Sequence, residues 1–153
     1  MTEVETRFGV APMTIDLLPA VVALEESCGL HSRGVEGYRK MLSNPTAVLL
    51  VALPMGPISP VGAFSGEVVL DELQIDNLAV SEQWRRKGIG RTLLRLALKV
   101  AAGRGARVAT LEVRSANPAA RAFYEKERFT RVGLRKRYYA DPPDDALLLS
   151  REI

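Results

Sequence analysis

The run Arg85-Arg86-Lys87-Gly88-Ile89-Gly90-Arg91 sets two glycines among four cations, just before a long apolar periodicity begins. Glycine lets a backbone approach a ligand without a Cβ in the way, and a loop that opens a helix offers unpaired N–H groups and the positive end of the helix dipole. Such a loop is suited to hold phosphate. Its spacing differs from the nucleotide loops: the Rossmann pattern needs a third glycine where Leu93 stands, and the Walker pattern needs Gly-Lys-Ser/Thr. A tight turn without a ligand is the plain alternative. Downstream, Glu112 shares one side of an alternating segment with Val108 and Thr110, an unfavourable place for a carboxylate unless that side opens onto a polar cleft. It could take a proton there, or pair with Arg114 or Arg107. Tyr124, beside Phe123, is either a phenolic proton donor or a half-buried aromatic. Tyr138 and Tyr139, before the turn marked by Pro142-Pro143, are two more aromatics with polar tips. Cys28 and His31 stand alone and read as packing or surface positions.

The elements that must position these groups differ in period. Residues 4–10 read as a strand, and Asp16 as the cap of a helix through Ser27 with Pro19 in its first turn, where a missing N–H does no harm. A second short helix covers 35–42. Segments 46–53, 61–70 and 72–80 are rich in apolar and β-branched residues with turn signals between them, which predicts three strands in an antiparallel meander. From Ile89 onward, Leu93, Leu94, Leu96, Ala97, Val100 and Ala101 mark one face of a helix that ends at Gly103. A strand follows at 107–113, then Asn117-Pro118 supplies an N-cap and a favoured first residue for a helix through Lys126. Strands at 130–138 and 146–153 close the chain. The order is mixed α/β with a strand, helix, strand unit at its centre, and nothing divides residues 1–153 into more than one domain.

At 153 residues the chain is long enough to bury roughly two-thirds of the surface that its unfolded form exposes. One cysteine and one histidine exclude an internal disulfide and a Cys/His zinc cluster, so a reducing, cytoplasmic setting without a metal is expected. The longest apolar stretch, 47–53, is about a third of a membrane span, and the first twenty residues lack a basic patch followed by an apolar run. A soluble protein without a membrane partner is expected. Net charge is only +3, yet no acidic residue lies between Glu82 and Glu112, where Arg85, Arg86, Lys87, Arg91, Arg95, Lys99, Arg104 and Arg107 all fall. That predicts an anionic ligand, although Arg95, Lys99 and Arg104 suit a solvated helix face equally well. Nucleic acid is disfavoured, because no aromatic follows Trp84 in that stretch on which bases could stack.

Arg85, Gly88 and Gly90 match the pattern Gln/Arg-x-x-Gly-x-Gly/Ala. Leu111-Glu112-Val113-Arg114, Asn117, Ala120, Phe123-Tyr124-Glu125 and Phe129 match Leu-x-Val-Arg-x-x-Asn-x-x-Ala-x-x-Phe/Leu-Tyr-Glu-x-x-Gly-Phe. On these residues, across roughly 70–153, the chain resembles the GNAT superfamily of N-acetyltransferases. The resemblance implies a mixed, largely antiparallel sheet flanked by helices, with a central β-α-β unit that binds acetyl-coenzyme A. It further implies that the amides of Leu78, Ala79 and Val80 pair with the pantetheine arm, and that Arg85, Arg86, Lys87, Gly88, Ile89, Gly90 and Arg91 surround the pyrophosphate. Asn117 then lies near the thioester, Tyr124 is the general acid, and Glu112 is the general base, as in the bacterial ribosomal-protein alanine N-acetyltransferases.

Tyr138-Tyr139-Ala140-Asp141, then Asp145-Ala146, is similar to the Tyr-Tyr-x-Asp-x-x-Asp-Ala signature of enzymes that acetylate protein N-termini. That similarity implies that Tyr138 and Tyr139 hold the acceptor backbone. The acceptor is then a protein N-terminus, a ribosomal protein being one candidate, attacked directly in a ternary complex by a monomer or homodimer. A small-molecule amine acetyltransferase and a catalytically silent coenzyme A binding module are the alternatives. Two positions depart from the pattern. Arg128 replaces its glycine, so a local rearrangement is expected if the backbone there has positive φ. Residues 30–33 replace a Pro-Trp pair that lines the acceptor pocket of the alanine acetyltransferases, so the first-residue preference does not carry over.

Overall fold

A computed structural model describes residues 7–56 and 59–153. The elements are β1 (Phe8–Pro12), α1 (Leu18–Ser27), α2 (Gly34–Leu42), β2 (Ala47–Pro54), β3 (Gly62–Val69), β4 (Glu72–Val80), α3 (Ile89–Gly103), β5 (Val108–Arg114), α4 (Pro118–Lys126), β6 (Thr130–Ala140) and β7 (Pro143–Glu152). Among the described residues, seven strands form one sheet in the order β1-β2-β3-β4-β5-β7-β6. The expected meander is present, and among the described strands β4 with β5 is the one parallel pair, bridged by α3. This is the mixed, largely antiparallel α/β architecture that the sequence implied.

Two local expectations change. The first strand runs from Phe8 to Pro12, because its register pairs Phe8 with Pro54 and Pro12 with Leu50; residues 4–6 lie outside the described residues. Asp16 does not cap α1. It lies inside a short 3-10 turn, Ile15–Leu17, where its carboxylate accepts the Thr14 hydroxyl, and α1 starts after it with Pro19 in the first turn.

The sheet separates two apolar layers. Leu18, Val21, Leu24, Tyr38 and Met41 of α1 and α2 pack on Leu49, Val51, Ala63 and Ala79. Leu93, Leu94 and Ala97 of α3, with Tyr124 of α4, pack on Leu50, Leu73, Ile75, Leu111 and Val113 of the opposite face. Each fully buried leucine stabilises the fold by about 2 kcal/mol.

Alternation breaks once in β4. Leu73 and Ile75 face α3, but so do Leu78 and Val80, while Ala79 faces α1. The extra residue is Asp76: Gly66 pairs with Ile75 and Ser65 with Asn77, a β-bulge that turns Asn77 toward the α1 side. Parallel pairing of β4 with β5 covers only Glu72 to Gln74 against Val108 to Thr110. Beyond that point the register pairs β4 with β3 alone and β5 with β7 alone. The two strands therefore part, and one edge of residues 75–80 is left open beside β5.

Candidate active site

The loop between β4 and α3 is shaped by two left-handed residues, Arg86 at φ 63° and Gly88 at φ 82°. Left-handed residues turn neighbouring N–H groups toward one side, the backbone form of anion-binding concavities. The N–H groups of residues 86–91 donate to no acceptor among the described residues, and the first capping bonds begin with Thr92, whose N–H and hydroxyl both reach the Gly88 carbonyl. A Cβ added at Gly88 would point into open space, whereas one at Gly90 would come within 3.4 Å of the Phe123 ring. Unpaired amides, exposed Arg86 and Lys87, and room above Gly88 all fit a pyrophosphate.

Two of the expected phosphate ligands are otherwise engaged. Arg85 turns back, its Nε donating to the Val80 carbonyl at 3.2 Å and its Nη2 lying 3.7 Å from Cys28 Sγ. It thereby clamps the end of β4 against the end of α1. Arg91 donates from Nε to Glu127 at 3.1 Å, and Arg95 pairs with the other oxygen of that carboxylate at 3.5 Å. Glu127 is buried, so this ion pair joins the start of α3 to the end of α4. Arg104 is likewise not a free cation, since it donates to the Ala47 carbonyl at 2.6 Å.

Tyr124 lies on α4, on the α3 side of the sheet. Its ring meets Phe123 edge-on at 5.0 Å and Phe129 at 5.4 Å. Burial pushes the phenol well above its ordinary range, and no described residue hydrogen-bonds its hydroxyl. The ring is a packed core aromatic, and the hydroxyl is unused by the fold. Asn117 caps α4, its Oδ1 accepting the Ala120 N–H at 3.1 Å. That is the plain capping role, and it leaves the amide nitrogen of the side chain uncommitted.

Glu112 faces the other way. Leu111 and Val113 belong to the α3 layer, so the residue between them projects to the α1 side, where it is partly exposed. Its ion-pair partner is neither Arg114 nor Arg107 but Arg135 of β6, at 3.4 Å. Arg114 is diverted to the β6–β7 turn, where it stacks on the Tyr139 ring at 4.1 Å and donates to the carbonyls of Pro142 and Asp141. Tyr138 meets Tyr139 edge-on at 5.1 Å. A hydrogen-bonding contact with the Glu112 carboxylate, and that carboxylate's charge, raise the Tyr138 phenol above its ordinary range; Tyr139 is raised by burial first and by Glu112 second. The structure thus groups Glu112, Arg135, Tyr138 and Tyr139 on the α1 side of the sheet, with Tyr124 on the opposite face of the parted strands.

The Arg128 expectation needs correction. Its φ is 68°, yet no rearrangement follows: Phe129 N–H reaches the Tyr124 carbonyl at 2.9 Å and Arg128 N–H reaches Glu125 at 3.0 Å, the ordinary ending of a helix with a left-handed residue beyond it. Arginine in that conformation costs about 1 kcal/mol, which the burial of Phe129 offsets. Arg135, Asn77 and Glu127 were not singled out from sequence. The phase change from Leu73 and Ile75 to Leu78 and Val80 is the signal that locates the bulge and Asn77; no comparable local pattern marks the other two. Among the described residues no cluster of His, Cys, Asp and Glu could hold a metal, and no helix is long and apolar enough to cross a membrane.

A family model for the acetyltransferase (GNAT) family matches residues 18–128. The chain belongs to the GNAT acetyltransferase family. Among its GNAT relatives is the putative ribosomal protein bS18-alanine N-acetyltransferase of Bacillus subtilis, 36% identical over 112 residues, 73% of each chain. The Escherichia coli ribosomal protein bS18-alanine N-acetyltransferase is 38% identical over 89 residues, 57% of this chain and 60% of that protein. The crystal structure of the ribosomal-protein-S18-alanine N-acetyltransferase from Escherichia coli superimposes with a TM-score of 0.84 at 26% identity, covering 96% of this chain and 94% of the other. Arabidopsis thaliana NAA60 in complex with acetyl-CoA reaches a TM-score of 0.87 at 18% identity, a likeness of fold, covering 96% of this chain and 99% of that one.

For the phosphate loop the expected result is specific. Gly88→Val places a branched side chain where φ is 82° and in the open space where a pyrophosphate held by these amides would lie, and should weaken acetyl-coenzyme A binding by roughly ten- to a hundredfold, or about 1.4 to 2.8 kcal/mol. Titration calorimetry measures this directly. Unchanged affinity in a folded variant would remove the pyrophosphate assignment.

Proposed function

We propose that the protein transfers the acetyl group of acetyl-coenzyme A to the N-terminal amine of a protein, with a ribosomal protein as the candidate acceptor. The observation that carries this reading is the division of labour across the parted strands β4 and β5. On one face Glu112 lies with Arg135, Tyr138 and Tyr139; on the other lies Tyr124, its ring buried and its hydroxyl bonded by no described residue. The relatives named for acetylating the alanine of ribosomal protein bS18 support the same acceptor class.

Acetyl-coenzyme A supplies the activated acyl group when it is bound. Residues 86–91 hold its pyrophosphate, the open edge of Leu78, Ala79 and Val80 takes its arm as an added strand, and Asn117 lies toward the thioester end. Arg85 contributes by clamping Val80, and Arg91 by tying α3 to Glu127. Backbone N–H groups near Val80 polarise the thioester carbonyl. Glu112, directly or through a water, takes the proton that the attacking amine must lose, and Tyr124 delivers a proton to the departing sulfur. The burial that raises the Tyr124 phenol also disfavours a free thiolate beside it, so the proton transfer is less uphill than the raised phenol alone suggests. An α-amine with pKa 7.7 to 8.0 is roughly 10 to 17 per cent neutral at pH 7, whereas lysine is about 0.04 per cent neutral. A partly exposed carboxylate is a sufficient base for the first acceptor and a poor one for the second.

The test is release of free thiol from acetyl-coenzyme A with three kinds of amine. Peptides with a free N-terminus should be acetylated, and the same peptides with a blocked N-terminus and an internal lysine should not. Tyr139→Ala, which removes the ring under Arg114, should raise KM for the peptide more than it changes acetyl-coenzyme A binding. Turnover of spermidine with no peptide acetylated would instead assign a small-amine acetyltransferase, and no turnover of any amine a silent binding module.

A further inference from the structure

Glu25 is a carboxylate sealed inside the α1 layer, 1% exposed, and the catalytic machinery makes no use of it. Its Oε1 accepts the Ser32 hydroxyl at 2.8 Å, and its Oε2 accepts the Tyr38 hydroxyl at 2.6 Å and the Asn77 side-chain amide at 2.7 Å. Ser65 Oγ stands 3.1 Å from the Tyr38 oxygen, on the other side of that hydroxyl. A buried carboxylate held by neutral donors is an expensive way to fill space, because removing any donor leaves a charge without compensation. The position of the donors says what it accomplishes. Ser32 belongs to the loop of residues 28–33 between α1 and α2, and Asn77 sits at the β4 bulge; the same Asn77 amide also reaches the His31 carbonyl at 3.0 Å. Arg33 forms an ion pair with Asp76, the bulged residue itself, and Cys28 Sγ reaches the Val80 carbonyl at 3.4 Å. The Asn77, Arg33 and Cys28 bonds fasten this loop to the strand whose open edge borders the site, and Glu25 joins Ser32 of the loop to Asn77 of the same strand.

The loop and Glu112 lie on the same face of the sheet, on opposite sides of the gap where β4 and β5 part. The opposite face is filled by α3 and α4. An amine that reaches the thioester must therefore arrive between the loop and Glu112. We infer that Glu25 is a positioning residue for the acceptor: by holding residues 28–33 against the β4 bulge, it fixes one wall of the passage through which the amine enters. This rests on the proposed transfer to an amine from the Glu112 face, and extends it to the element that sets acceptor affinity.

Glu25→Gln keeps the size and removes the charge, so one of its donors loses its partner. It should raise KM for the acceptor about tenfold, leave KM for acetyl-coenzyme A and kcat within about twofold, and speed hydrogen exchange at residues 28–33. Ser32→Ala, at a part-buried position, removes the hydroxyl's bond to Glu25 and the one it accepts from the Gly34 N–H while leaving the Glu25 carboxylate in place; it should move acceptor KM in the same direction by a smaller factor and covers the case in which Glu25→Gln fails to fold. Kinetics are measured with whichever amine the wild type turns over, so the wrong acceptor class shows in the wild type and a wrong role for Glu25 shows in the variants. A lowered Tm with both KM values unchanged would reduce Glu25 to a purely structural group and overturn the inference. So would a parallel loss of affinity for both substrates.

Discussion

Tyr124→Phe is expected to lower kcat by about 10² to 10⁴, the usual span for a positioned proton donor, while acetyl-coenzyme A affinity and thermal stability stay close to wild type. The separation is possible because the fold uses only the ring. Phe123 and Phe129 pack against it edge-on, and those contacts survive removal of the hydroxyl, which no described residue hydrogen-bonds. Burial holds the phenol protonated across any working pH, so no falling alkaline limb is expected from this group and its loss should depress the whole pH profile evenly. Steady-state kinetics under conditions where chemistry is limiting decides it. An undiminished kcat would return Tyr124 to the role of a packed aromatic.

Glu112→Gln should lose about 10² or more of kcat/KM near pH 7. Part of that loss should return as pH rises: the neutral fraction of an α-amine grows roughly six- to tenfold between pH 7 and pH 9, and the variant depends on that fraction alone. The wild type, which keeps the Glu112 carboxylate, should show a shallower dependence. Glutamine also leaves Arg135 without its charged partner and relieves the Tyr138 phenol of the carboxylate that raises it, so Tyr138 should titrate closer to its ordinary value in the variant. Wild-type rates at pH 7 would show that the base lies elsewhere or that the acceptor arrives already neutral.

How much could be read in advance depended on the range of the interaction. The α3 periodicity, its end at Gly103, the Asn117 cap with Pro118, and the glycine loop are written within a few consecutive residues, and the structure has each of them where the pattern put it. The Asp16 cap failed although it too is local, because a 3-10 turn begins at Ile15 and the Thr14 hydroxyl occupies the Asp16 carboxylate first. Glu112 was legible as an odd carboxylate on an alternating strand, but its partner was not. The pairing with Arg135 requires β7 to lie between β5 and β6, a strand order that only packing selects.

The sequence by itself determined which residues could carry charge, donate protons or bare their backbone, since those properties belong to residue types and to spacings of one to four positions. It also determined the strand and helix periods that raise Leu93 and Leu111 into the core. Tertiary structure alone decided which of these groups meet. Arg91 and Arg85, at the two ends of the glycine loop, are drawn to Glu127 and to Cys28, 36 and 57 positions away. Glu112 and Tyr124 end on opposite faces because one projects from a strand and the other from the helix packed behind it. The bulge at Asp76 turns Asn77 toward a carboxylate 52 positions distant. Each of these outcomes follows from the sheet's order and from a single inserted residue, and contacts between residues far apart in the chain are set by such long-range geometry rather than by any local preference.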